Sequence, residues 1–298
     1  MLKKITFFFI IFLTIVFPVN SYQDAQRFYD IDSFDNMPIL ERDNFGNDNS
    51  PPVPKRGPEF RRYLAPSVKI AVNGSSGSGT IIHYDKVKNI AYVATCGHLW
   101  NQGIMNADEG KKRNIKCKVI TWYHNDLKLD SPKSYESTVI FYSYINGQDT
   151  GLITFNPDWE PNYFRLGSKN YNYIAGQYAH SVGCDAGTEV AHYEIKMLGI
   201  EGADLVSEQN SPRPGRSGGG LMDDNGYYIG TCWGTQYRDG TGKGYFTPLS
   251  VIHKFWSKQA GYNFLLEQKQ IIGNAKQIKI NDRSGSKEEF RPEYILLP

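Results

Sequence analysis

From residue 64 onward the chain is a succession of short apolar runs, at 67–72, 79–84, 90–95, 115–123, 137–143 and 150–155, then at 177–183, 189–198, 220–222, 227–233 and 245–249. They are rich in Val, Ile, Thr, Tyr and Phe, and Gly, Asn and Asp punctuate them. Many short strands at such spacing predict an all-β sandwich or barrel. Asp224-Asn225-Gly226 between two of the runs is a hairpin turn signal. A single helix is predicted near the end, with Ser250 as its cap, Ile252, Phe255, Trp256 and Gln259 on successive turns, and Gly261 as its stop.

The flanks have a different character. Residues 5–19 are almost unbroken apolar sequence behind Lys3 and Lys4, and Val19 and Ser21 precede a cleavage point after Ser21, so 1–21 reads as an export leader. Fifteen residues fall short of the roughly 20 that a spanning helix needs, so no lasting membrane association is expected after cleavage. Residues 22–62 carry Asp, Asn, Pro and Arg without any apolar period and read as a disordered linker or propeptide, and 263–298 as a polar tail. The expected location is secreted or periplasmic.

Composition narrows the function. Of the 298 residues 40% are hydrophobic and 21% charged, as in ordinary soluble proteins, and a net charge of +2 supplies no massed basic face for nucleic acid. Aromatics reach 14%, which suits strands. Export would take the four cysteines (Cys96, Cys117, Cys184 and Cys232) into an oxidising compartment, where one or two disulfides are expected among three pairings. No C-x-x-C pair offers a structural zinc site.

The strongest chemical signal is Pro214-Gly215-Arg216-Ser217-Gly218-Gly219-Gly220-Leu221. A serine among glycines sits on a tight turn whose backbone N–H groups can converge on a developing oxyanion. The same residues match the G-x-S-x-G elbow, but that elbow requires a helix next, and three glycines cannot start one. A serine needs a base. His98 closes the strand-like run 92–98 at a small-residue turn that frees the imidazole, whereas His83, His180 and His192 lie within strand patterns. Asp149, ahead of the apolar 150–155, can orient such a base and stabilise its charged form. The order His98, Asp149, Ser217 leaves room for several strands in each interval.

At these residues the chain resembles the trypsin-like (chymotrypsin-fold) serine protease superfamily. Thr95-Cys96-Gly97-His98 is similar to its T-A-A-H box, Asp149-Thr150-Gly151-Leu152-Ile153 to D-I-A-L-L, and Gly215-Arg216-Ser217-Gly218-Gly219 to G-D-S-G-G, with the serine box nearer still to the P-G-N-S-G-G of bacterial HtrA-type proteases. Thr231-Cys232-Trp233-Gly234 is similar to the V-S-W-G strand that pairs with bound peptide, and Gly244-Tyr245-Phe246-Thr247 to G-V-Y-T. The resemblance implies two antiparallel six-stranded β-barrels, at 63–165 and at 166–262 with the helix, and the triad in the cleft between them. It also implies His98 as base, Asp149 as orienter, Ser217 as nucleophile and the N–H groups of Gly215 and Ser217 as the oxyanion hole. The implied partner is a protein or peptide substrate, with no cofactor and no metal. Ser211, Gly234 and Gly244 would line the primary pocket beside Cys232 and Trp233, which favours a large apolar residue before the cleaved bond. A bridge near His98, Cys96 to Cys117 or to Cys232, is implied by analogy. Arg216 stands where zymogen-activated members have an Asp, and Cys232 where they have a serine that helps hold the triad Asp. The alternative reading is therefore a catalytically inactive binding protein of the same fold.

Overall fold

The computed structural model describes residues 55–72, 75–100, 115–125, 127–145, 148–208, 213–236 and 242–267. The expected leader, most of the linker and nearly all of the tail lie outside them. No helix among the described residues is long and apolar enough to cross a membrane.

Six strands build a first barrel: β1 (Ser67–Val72), β2 (Ser75–Asp85), β3 (Ile90–Thr95), β4 (Lys116–His124), β5 (Leu127–Ile145) and β6 (Gln148–Phe155). They close in the order β1-β2-β3-β6-β5-β4, with β4 returning to β1 through Ile70 opposite Val119. After the short β7 (Arg165–Leu166) come β8 (Tyr178–Cys184), β9 (Val190–Glu201), β10 (Asp204–Ser207), β11 (Gly220–Met222), β12 (Tyr227–Thr235) and β13 (Gly244–Pro248). The order β11-β8-β9-β10-β13-β12 closes through the β11–β12 pair, Gly220 opposite Thr231, and β7 adds in parallel to the outside of β12. The expected pair of six-stranded barrels is present.

Strand periodicity explains why β3 and β6 are buried on both faces. Successive side chains leave a strand on opposite sides. Ala91, Val93, Ile153 and Phe155 therefore fill the first barrel, whereas Tyr92, Ala94 and Leu152 face the other way, into the core that also holds Val182, Leu205 and Phe246 of the second barrel. The helix that follows β13, α2 (Leu249–Trp256), locks this seam. Trp256 is fully buried, stands edge-on to Phe141 at 5.6 Å, and donates from Nε1 to Thr150 Oγ1 at 3.1 Å, one residue from Asp149.

Four expectations are corrected. The helix starts one residue before Ser250, behind Pro248, and its first N–H is capped by the Tyr173 phenol at 2.8 Å instead of a serine hydroxyl. Residues 55–62 are ordered: Lys55 exchanges backbone hydrogen bonds with His192, and Phe60 stacks on that imidazole at 4.6 Å ahead of the short helix α1 (Arg61–Leu64). Aromatic and backbone contacts offset an ordering cost that composition alone left uncovered. At the start of the supposed tail, α3 (Asn263–Leu266) buries Leu265. All four cysteines are free and buried. Cys117 is enclosed in the first-barrel core, apart from Cys184 and Cys232, which belong to the second core.

Candidate active site

The end of β3 runs into a 3₁₀ turn (His98–Trp100), and Gly97 makes that turn possible. A Cβ there would lie 2.0 Å from the Ser143 carbonyl oxygen, so any larger residue would push the turn off β5. The freed Gly97 and His98 N–H groups both donate to Asp149 Oδ1, at 2.6 and 3.0 Å. Asp149 Oδ2 lies 2.6 Å from His98 Nδ1. An ionised carboxylate only accepts, so Nδ1 carries the proton and Nε2 of the neutral ring presents its lone pair. Thr247 of β13 donates to the Asp149 carbonyl at 2.8 Å, tying the acid to the second barrel as well.

Burial opposes the charged imidazole, but the Asp149 carboxylate, with the nearby Cys96 sulfur, overcomes it and lifts His98 well above the usual imidazole value. Cys232 makes no hydrogen bond to Asp149 among the described residues. Its backbone instead binds the serine loop, accepting from Gly218 N–H at 2.7 Å and donating to Gly219 at 2.8 Å. Burial pushes the Cys232 thiol far up, so it stays neutral.

Ser217 enters from the second barrel. Its carbonyl accepts from Ser78 N–H at 2.7 Å, and Gly218, at φ +87°, sits where a Cβ would lie 2.1 Å from the Ser78 carbonyl oxygen and 2.2 Å from Thr95 Oγ1. This approach seats the serine loop on the strand that leads to His98. Ser217 itself is half-buried, and its Oγ makes no hydrogen bond to a described residue. The three expected site residues thus come to one seam, with the His98–Asp149 bond made and no Ser217–His98 bond among the described residues.

The turn ahead of the serine is held from three sides. Ala186 N–H donates to the Pro214 carbonyl at 2.6 Å, and a trans peptide sends its N–H the opposite way, so the Gly215 N–H faces away from that turn. Gly215 has φ +89°, and a Cβ there would lie 2.8 Å from Ala186 N and Gly187 N. Ser78 Oγ donates to the Gly215 carbonyl at 2.8 Å and accepts from Cys184 N–H at 2.7 Å. Neither the Gly215 nor the Ser217 N–H donates to an acceptor among the described residues.

Arg216 points the other way, into the second barrel, and is 1% exposed. Its Nε donates to Asp185 Oδ1 at 2.9 Å and its Nη1 to the Ser181 carbonyl at 3.0 Å, while the guanidinium lies 3.9 Å over the Tyr193 ring. The Tyr193 hydroxyl donates to the other Asp185 oxygen. A buried cation is thus neutralised within the barrel that carries Ser217.

His98 and Asp149 from one six-stranded barrel thus meet the Ser217 loop of another. The fold is chymotrypsin-like. No protein-family model and no curated protein sequence matches the chain. Among solved structures it is similar to the active form of the Rv3671c protease from M. tuberculosis, 17% identical over 74% of this chain and 94% of that one, TM-score 0.49. It is also similar to Deg5 (17%, 66% and 89%, TM-score 0.48) and to the MamO protease domain from Magnetospirillum magneticum (16%, 65% and 97%, TM-score 0.46).

Of the other expected residues in this chymotrypsin-like frame, Trp233 donates to Asp204 Oδ1 at 3.2 Å and leans on Tyr245. Gly234 opposes Tyr245, and Gly244 opposes Thr235 and Ser207. Ser211 lies outside the described residues. Sequence reasoning missed Ser78, Asp185 and Thr247. Ser78 carried a faint signal, standing between Gly77 and Gly79, whereas Asp185 and Thr247 look like any turn or strand residue.

Arg216→Met should destabilise the protein by about 3–5 kcal/mol, because it leaves Asp185 buried without its cation. Asp185→Asn added to it should recover part of that loss, as urea unfolding of both variants would show.

Proposed function

We propose that the chain is a serine endopeptidase that cleaves protein or peptide substrates through an acyl-enzyme. The observation that carries the reading is the His98 imidazole, held by a carboxylate whose second oxygen takes two backbone N–H groups. In the proposed reaction Nε2 takes the proton of Ser217 Oγ as that oxygen attacks the scissile carbonyl. The negative charge then formed is received by the N–H groups of Gly215 and Ser217, and His98 returns the proton to the leaving amine. Water repeats the sequence to release the acid. The two N–H bonds to Asp149 Oδ1 hold the carboxylate where Cys232 offers no hydroxyl, which supports the catalytic reading. No Ser217–His98 hydrogen bond is made among the described residues, as is common in unliganded sites, where this bond tightens only with substrate. This is also the one observation that favours the second reading, a binding protein of the same fold.

Substrate would pair with the strand around Cys232–Trp233–Gly234, and a large apolar residue before the cleaved bond fits a pocket walled by Gly234 and Gly244. The apolar leader at 1–21 supports a secreted or periplasmic protein.

A phosphonofluoridate serine probe should label the purified protein at Ser217, located by peptide mapping. Ser217→Ala or His98→Ala should cut kcat by about 10⁴–10⁶. A folded protein that neither labels nor turns over a peptide library is the binding relative.

The base must be neutral to work, and its Asp149 partner favours the charged ring. Activity should therefore fall as pH drops through an apparent pKa above 6.5, read from kcat/KM against pH. A midpoint at or below 6.5 would contradict the coupling.

The Arg216–Asp185 pair supports activity without a freed N-terminus, since a new α-amino group has no acid before the nucleophile to meet. Chains that start at residue 40, 50 or 54 should hydrolyse peptide at equal rates, and dependence on one start would count against this.

A further inference from the structure

We infer that Cys96 and His98 form a binding site for a thiophilic divalent cation, zinc above all, and that the ion occupies the nitrogen lone pair on which the proposed catalysis depends. Cys96 Sγ lies 3.7 Å from His98 Nε2. Zinc bonds thiolate at about 2.3 Å and imidazole at about 2.0–2.1 Å, and two such bonds at a tetrahedral angle hold sulfur and nitrogen about 3.6 Å apart. The ligand atoms thus already stand at the edge length of a zinc tetrahedron.

The surroundings agree. A zinc-binding imidazole commonly donates its other nitrogen to a carboxylate, which orients the ring and makes it a stronger ligand. Asp149 does this at 2.6 Å, and its two oxygens are already taken, so it acts from outside the ion. Cys96, His98 and Asp149 are the one group of three such side chains gathered within 4.8 Å among the described residues. The His98 side chain keeps 9% of its surface exposed, so the buried pair is not sealed from solvent.

Cys96 is fully buried, and burial pushes its thiol up, so it is not a second nucleophile. When zinc enters, the S–H bond breaks, the sulfur pair and the Nε2 pair bond the metal, and the thiol proton passes to solvent. Nothing is oxidised or reduced. Inhibition by the ion rests on the hydrolase reading, but the site itself does not.

Cobalt(II) titrated into the full-length protein, previously stripped with chelator, tests the site without any turnover. Expected are a near-ultraviolet thiolate-to-cobalt charge-transfer band and the visible absorption of a four-coordinate ion, both abolished by zinc. The band should vanish in Cys96→Ala and in His98→Ala and persist in Cys117→Ala. Asp149→Asn should weaken zinc by about 10–100-fold. If circular dichroism shows that Cys96→Ala is misfolded, the isosteric Cys96→Ser takes its place. No band at millimolar cobalt, or a band that survives loss of Cys96, overturns the proposal. A protein that binds cobalt but resists the serine probe keeps the metal site and loses the hydrolase; one that labels and shows no band loses only the metal site.

Discussion

Everything at the seam depends on the buried carboxylate of Asp149. An ion taken from water into a protein interior costs several kcal/mol unless it is fully bonded. Here one oxygen receives two backbone N–H groups from the turn after β3, and the other receives the His98 ring. Those charge-assisted bonds fix the imidazole, its tautomer and the turn that carries it. The backbone carbonyl of the same residue is held by Thr247 from the second barrel, and its neighbour Thr150 by Trp256 from α2. One residue thereby fastens the first barrel, the second barrel and helix α2 at the point where chemistry is proposed.

The serine loop is fastened by a separate set of contacts. Ser78, on β2 of the first barrel, accepts from Cys184 N–H and donates to the Gly215 carbonyl, and its own N–H donates to the Ser217 carbonyl. Arg216 anchors the same loop from behind through Asp185. The orientation of the Pro214–Gly215 peptide thus follows from groups within the folded barrels and needs no partner from the chain terminus. Such preorganised N–H groups are what an oxyanion site requires, because they need no reorganisation when charge develops.

Cys96 gives the site a second chemical character. In the two proposals the Asp149 bond would strengthen His98 both as base and as metal ligand, since both roles use the Nε2 lone pair. Proton transfer and cation binding would therefore compete for one atom. All four cysteines are buried and free.

The alternation of apolar and polar residues determined the all-β class, and the boxes around His98, Asp149 and Ser217 marked the three groups that now share a seam. Short-range patterns sufficed there because strand faces and glycine turns are local properties of the chain. Strands β7 and β10 escaped notice, since runs of two and four residues carry no readable period. The roles of Ser78, Asp185 and Thr247, the ordering of residues 55–62 and the 3.7 Å approach of Cys96 to His98 were decided only by the tertiary structure. Each depends on a partner distant in sequence or on the angle of a turn. Hydrogen bonds and metal-ligand distances are set by where barrel closure brings side chains, and no local pattern carries that information.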